Sequence, residues 1–168
     1  MEELLVRGAI LVSPDWSAPK KADLLVRAGK IAEIGGKLSS KGKVLDAFDL
    51  FLGPGFIDLH VHGGGAGFFG PDPESSRKAI LHHLRHGTTG IVASLMPAPL
   101  EELRASLGTL ANLESPVLLG AALEGPFLSP ARAGALPREF FLSPDVETLH
   151  SLVFGFEKFI RIVALAPE

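Results

Sequence analysis

The chain has 168 residues, 46% hydrophobic and 21% charged, which excludes a disordered chain and provides for one sizeable core. A net charge of -3, with basic and acidic residues nearly balanced, excludes nucleic-acid or anionic-membrane binding by bulk electrostatics. The absence of cysteine removes disulfide frameworks, thiol catalysis and cysteine-ligated zinc.

The first fifty residues read as β. Short apolar runs over Leu4–Val12, Ala22–Arg27 and Lys30–Ile34 are broken by Pro14, Gly29 and Gly35-Gly36, and Arg27-Ala28-Gly29-Lys30 reads as a hairpin turn. Brief strands at Val44-Leu45 and Phe51-Leu52 complete a small antiparallel, sandwich-like sheet, which gives an N-terminal segment of residues 1–53. From Pro54 the pattern becomes strand, loop, helix in repetition. Strands are expected over Gly55–His62, Thr89–Leu95, Val117–Glu124 and Phe159–Ala166. Helices are expected over Glu74–His86, stopped by Gly87, over Leu100–Asn112, and over Pro144–Leu152, opened by Ser143. This alternation predicts an α/β fold with a parallel sheet over residues 54–168. A (β/α)8 barrel needs about 250 residues, so the segment is either a small open sheet or the first half of a TIM-type barrel. No apolar run approaches about 18 residues, so no membrane span is expected. The acidic start lacks the basic end of a signal peptide, which makes the cytoplasm the expected location.

His60 and His62 fall two apart at the carboxyl end of the first strand of this second segment. Both imidazoles therefore project from one face, with Asp58 one step below, where it is placed to orient a ligand. Ligand sites of parallel α/β folds form at that end, and two imidazoles on a rigid strand suit a divalent first-row metal. Glu124 closes the third strand, where a carboxylate is costly unless paired or metal-bound. As a third ligand it leaves a position open for water; the alternative is a loop-edge glutamate capping nearby amides. Gly65-Ala66-Gly67-Phe68-Phe69-Gly70 matches the dinucleotide fingerprint, but Pro71-Asp72-Pro73 separates it from the helix and no ribose-binding acid follows, so it reads as a flexible turn beside the site. His82 and His86 have the spacing of a zinc protease pair, yet position 83 is His rather than the general base Glu, and a last-turn dipole role accounts for them.

Pro54-Gly55-Phe56-Ile57-Asp58-Leu59-His60-Val61-His62-Gly63 resembles the first barrel strand of the metal-dependent amidohydrolase superfamily. With Gly87-Thr88-Thr89, Leu123-Glu124-Gly125-Pro126-Phe127-Leu128 and the terminal Val163–Glu168, the chain resembles the N-acetylglucosamine-6-phosphate deacetylase family throughout. The resemblance implies a metal-activated water that attacks the N-acetyl group of N-acetylglucosamine 6-phosphate, giving glucosamine 6-phosphate and acetate. It assigns Glu124, with His60 and His62, to a divalent metal, zinc first and iron or another first-row ion next. It also places Ala135 against the sugar. The sequence departs from the pattern at Ala122 and Leu136, where the family often has histidine. The later metal-binding histidines, the catalytic Asp and the phosphate-binding residues of the family fall beyond Glu168, so no catalytic residue is assigned here. The chain is then expected to hold only the N-terminal half, to self-associate or pair with the missing half, and to be inactive alone. A non-catalytic assembly module, or an amidohydrolase acting on a cyclic amide, stands as the alternative.

Overall fold

The computed structural model describes residues 3–167. It divides into two compact units, Met1–Pro54 and Gly55–Glu168. Among the described residues, no helix is long and apolar enough to cross a membrane.

The first unit is a five-stranded sheet built around β1 (Glu3–Leu11). β2 (Lys20–Arg27) lies antiparallel to β1 and is joined by a tight turn to β3 (Lys30–Gly35). The expectation of an antiparallel sheet fails on the other side of β1. There β4 (Lys43–Asp46) and β5 (Phe51–Leu52) both run parallel to it, so the sheet is mixed. The chain returns from the end of β3 to the start of β1 through residues 36–42 before pairing Lys43 with Leu4. Glu3 secures that return by accepting hydrogen bonds from Ser40 Oγ (2.8 Å) and the Lys41 amide (3.3 Å). The register of β1 breaks between Val6 and Ala9, where Gly8 takes φ +70°. Glycine suits this bulge because its φ is left-handed and a Cβ would run into Phe48.

The second unit carries a four-stranded parallel sheet, in which the last strand in sequence lies at one edge and the first at the other. Its strands are β6 (Phe56–Val61), β9 (Thr88–Leu95), β10 (Leu118–Glu124) and β11 (Ile160–Ala164). A two-stranded hairpin, β7 (Gly63–Gly64) and β8 (Gly67–Phe68), follows β6. The helices are α1 (Pro73–Arg85), α2 (Leu100–Ala111) and α3 (Val146–Val153). Strand alternation sends Ile91, Ala93 and Leu95 of β9, with Ala121 and Leu123 of β10, into one apolar core. Ala79 and Ile80 of α1, Leu103, Leu107 and Leu110 of α2, and Leu152 of α3 fill the same core. All three helices thus contribute to one face of the sheet, and Ser94 and Glu124, out of phase with the core residues, belong to the other. Asp72 caps α1 by accepting from the Glu74 amide at 3.0 Å. α3 begins at Val146 rather than at the expected Pro144, because Asp145 and not Ser143 caps it, its carboxylate accepting from the Thr148 amide at 2.7 Å.

Candidate metal centre

The site is built where β6 and β10 end, with β9 between them. β6 delivers His60 and, one residue past its end, His62, while Glu124 is the last residue of β10. One ligand atom from each of the three lies within 4.8 Å of the others. His62 Nε2 stands 3.1 Å from Glu124 Oε2, and His60 Nε2 stands 3.9 Å from Glu124 Oε1. The two imidazole rings meet edge to face, with centroids 5.1 Å apart.

A backbone carbonyl on β9 orients the His62 ring. Nδ1 of His62 lies 3.0 Å from the carbonyl oxygen of Ser94 on β9. A carbonyl only accepts, so Nδ1 carries a proton, and in the neutral ring Nε2 holds the lone pair on the side of Glu124. With the ring neutral, a cation between these two atoms, 3.1 Å apart, satisfies both, as a proton on Nε2 does in a histidine–carboxylate ion pair. That separation also suits two ligands of one ion at about 2.0–2.2 Å each. The Oε2 atom of Glu124 is buried without a hydrogen-bond partner among the described residues, as is Ser94 Oγ. A buried carboxylate oxygen in that state is costly, and a bound cation removes the cost. The donor set therefore fits a divalent metal.

The other sequence-derived candidates fall elsewhere. Asp58 does not reach an imidazole; its Oδ1 accepts from the backbone amide of His60 at 3.1 Å, so it shapes the strand and not the ring. Ala135 lies exposed in the turn between the short helical segments Pro130–Arg132 and Arg138–Phe140. The glycine run is not a loose turn. It forms the β7–β8 hairpin, packed so closely on α1 that a Cβ on Gly67 would sit 2.7 Å from the Ala79 nitrogen. Ser94 escaped the sequence reading, since a backbone carbonyl that orients a histidine leaves no residue-type signature.

No family model matches the chain. An N-acetylglucosamine-6-phosphate deacetylase from Lysinibacillus sphaericus is 30% identical over 176 residues, covering 98% of this chain and 44% of the relative. An N-acetylgalactosamine-6-phosphate deacetylase from Escherichia coli O157:H7 is 34% identical over 123 residues, covering 70% of this chain and 33% of the relative. Among solved structures, N-acetyl-D-glucosamine-6-phosphate deacetylase from Mycobacterium smegmatis, in complex with N-acetyl-D-glucosamine-6-phosphate, matches with a TM-score of 0.84 and 27% identity. That match covers 100% of this chain and 44% of the solved one. The chain thus spans less than half the length of the relatives it matches. It belongs to the N-acetylglucosamine-6-phosphate deacetylase family of amidohydrolases, of which it matches the N-terminal part.

Proposed function

We propose that this chain carries the metal-binding portion of a hydrolase that removes the acetyl group from an N-acetylated amino-sugar 6-phosphate. The observation that carries the reading is the convergence of His60, His62 and Glu124 within 4.8 Å at the carboxyl ends of a parallel sheet. These three residues hold the ion, and two nitrogens with one carboxylate oxygen suit zinc, then iron or another first-row metal. When bound, the ion supplies Lewis acidity toward the amide carbonyl and lowers the pKa of a water.

The chain's own residues do the positioning. The Ser94 carbonyl keeps the His62 proton on Nδ1, so that Nε2 stays available as a ligand. Glu124 places negative charge between the two imidazoles. Among the described residues, Asp58 is engaged by the His60 amide rather than poised as a proton donor for the leaving amine. The rest of the relatives' length, in the same polypeptide or a second one, supplies that donor and the remaining ligands. The four parallel strands are then half of a (β/α)8 barrel, a reading supported by helices that all pack on one face. Residues 1–53 form part of a composite β domain, Ala135 lies against the sugar, and the charged sugar phosphate places the reaction in the cytoplasm. The galactosamine relative supports a second substrate, the epimer, at the same site.

The test measures acetate release from both N-acetylated sugar phosphates by this chain together with the complementary portion, with and without Zn2+. We expect metal-dependent release that is lost in His62→Ala and Glu124→Gln. Full metal occupancy without acetate from either sugar would refute the deacetylase and leave the assembly module or a cyclic-amide hydrolase. Metal uptake indifferent to both substitutions would refute the site.

A further inference from the structure

The C-terminal end of α1 carries His82 and His83 and is capped by His86, three imidazoles outside the centre just described, and their geometry goes beyond a dipole role. His83 is committed, its Nε2 lying 3.0 Å from the carbonyl oxygen of Gly63 on the hairpin. His82 and His86, one helical turn apart, face each other with ring centroids 4.6 Å apart and planes inclined by 44°. Nδ1 of His86 lies 2.7 Å from the His82 carbonyl oxygen and so carries a proton, which in the neutral ring leaves the lone pair on Nε2. The His82 ring lies over the glycine turn. A Cβ on Gly65 would stand 2.9 Å from its Nδ1, and one on Gly64 would stand 2.8 Å from its Cδ2. That packing leaves Nε2 as the nitrogen His82 can offer outward.

We propose that His82 and His86 form a second metal site, a bis-imidazole chelate on the outer surface of α1 for borderline divalent ions such as Cu2+, Ni2+ and Zn2+. Paired imidazoles at this spacing on a helix span one ion's coordination sphere, and imidazole is preferred by these metals over Mg2+ or Ca2+. The carbonyl held by His86 is the outer partner that raises ligand basicity. The site lies in the last turn of α1, where the helix dipole favours positive charge and offsets the neighbouring Arg85. Gly65, which opens the run resembling a nucleotide fingerprint, and Gly64 before it thereby gain a physical role, because a side chain at either would displace the His82 ring.

The test titrates Cu2+ into the full chain carrying His60→Ala and His62→Ala, which removes the first centre. Calorimetry gives the affinity and electron paramagnetic resonance counts the coordinating nitrogens. We expect one Cu2+ held by two imidazole nitrogens, with affinity falling by more than about tenfold in either His82→Gln or His86→Gln. His86 is exposed, so His86→Gln carries the test if His82→Gln disturbs the hairpin. An affinity unchanged by both substitutions, or a signal from a single nitrogen, would overturn the proposal.

Discussion

Glu124 and Asp23 are both carboxylates drawn out of water, and their partners give them opposite roles. Asp23, 7% exposed, accepts from the Gly8 amide at 2.8 Å and the Leu38 amide at 2.9 Å. Those two backbone donors, Leu38 first, hold its carboxyl below the ordinary range. A depressed folded pKa stabilises the fold above the unfolded value of about 3.9, and that contribution is lost as pH falls through the folded pKa. Asp23→Ala leaves the Gly8 amide without its acceptor and is expected to cost about 1–3 kcal/mol at pH 7. The gap between variant and parent should close in melts taken progressively below about pH 4. Glu124, by contrast, keeps an orphaned oxygen until a cation arrives. Zn2+ at a hundred times its dissociation constant should therefore stabilise the chain by about 2.7 kcal/mol. Glu124→Gln should abolish most of that shift while leaving the metal-free melt equal or higher, because the substitution removes a poorly compensated charge.

At the scale of elements, the hairpin and the α2–α3 contact make sharper demands than their sequences suggest. Gly67→Ala would press a methyl against the Ser75 carbonyl oxygen, the Ala79 nitrogen and Lys78, so a loss of about 1–3 kcal/mol in a denaturant melt is expected. Arg104 on α2 donates to the carbonyl oxygens of Ser151, Leu152 (2.9 Å) and Phe154 (3.3 Å), which satisfies the open end of α3. Arg104→Met keeps the stem but not the donors; faster hydrogen exchange confined to α3 and a loss of about 1.5 kcal/mol are expected. Much of this architecture was legible beforehand. The period-two placement of His60 and His62, the helix-stopping Gly87 and the apolar phase of Thr88–Leu95 each carry a local signature. The direction of β4 and β5 does not, because a short edge strand has the same residue pattern whether parallel or antiparallel to its neighbour. The start of α3 was hidden because Ser143 has the residue type of a cap, whereas the side chain that reaches an amide is that of Asp145, two residues on. The tight fit of the hairpin was hidden too, since glycines read alike whether they permit motion or close approach.

Across the second unit, a parallel sheet with helices on one face alone is unusual, because such sheets are ordinarily covered on both. Leu59, Leu119 and Ile162 stand exposed in the sheet; Phe56 and Ile57 on the edge strand β6 are 72% and 64% exposed. Among the described residues, β6 and β11 each pair on one side only. Open edges flanked by apolar side chains recruit further strands, and on the half-barrel proposal the complementary portion would present them. Metal chemistry follows the same geometry, because His60, His62 and Glu124 lie at the carboxyl ends of this sheet and, among the described residues, Asp58 is turned to the His60 amide rather than to them. General acid–base assistance is commonly worth about 10²–10⁴-fold, so loaded metal alone should not bring useful turnover. The 168-residue chain by itself is therefore expected to release no acetate above background, with or without Zn2+, and to grow in mass with concentration by light scattering. Adding the complementary portion should lower that self-association and bring turnover in the same titration. Leu59→Lys with Ile162→Lys should suppress both the self-association and the pairing. Robust turnover by a clean monomer would show that the proton donor already lies within these residues and that the open edges need no partner.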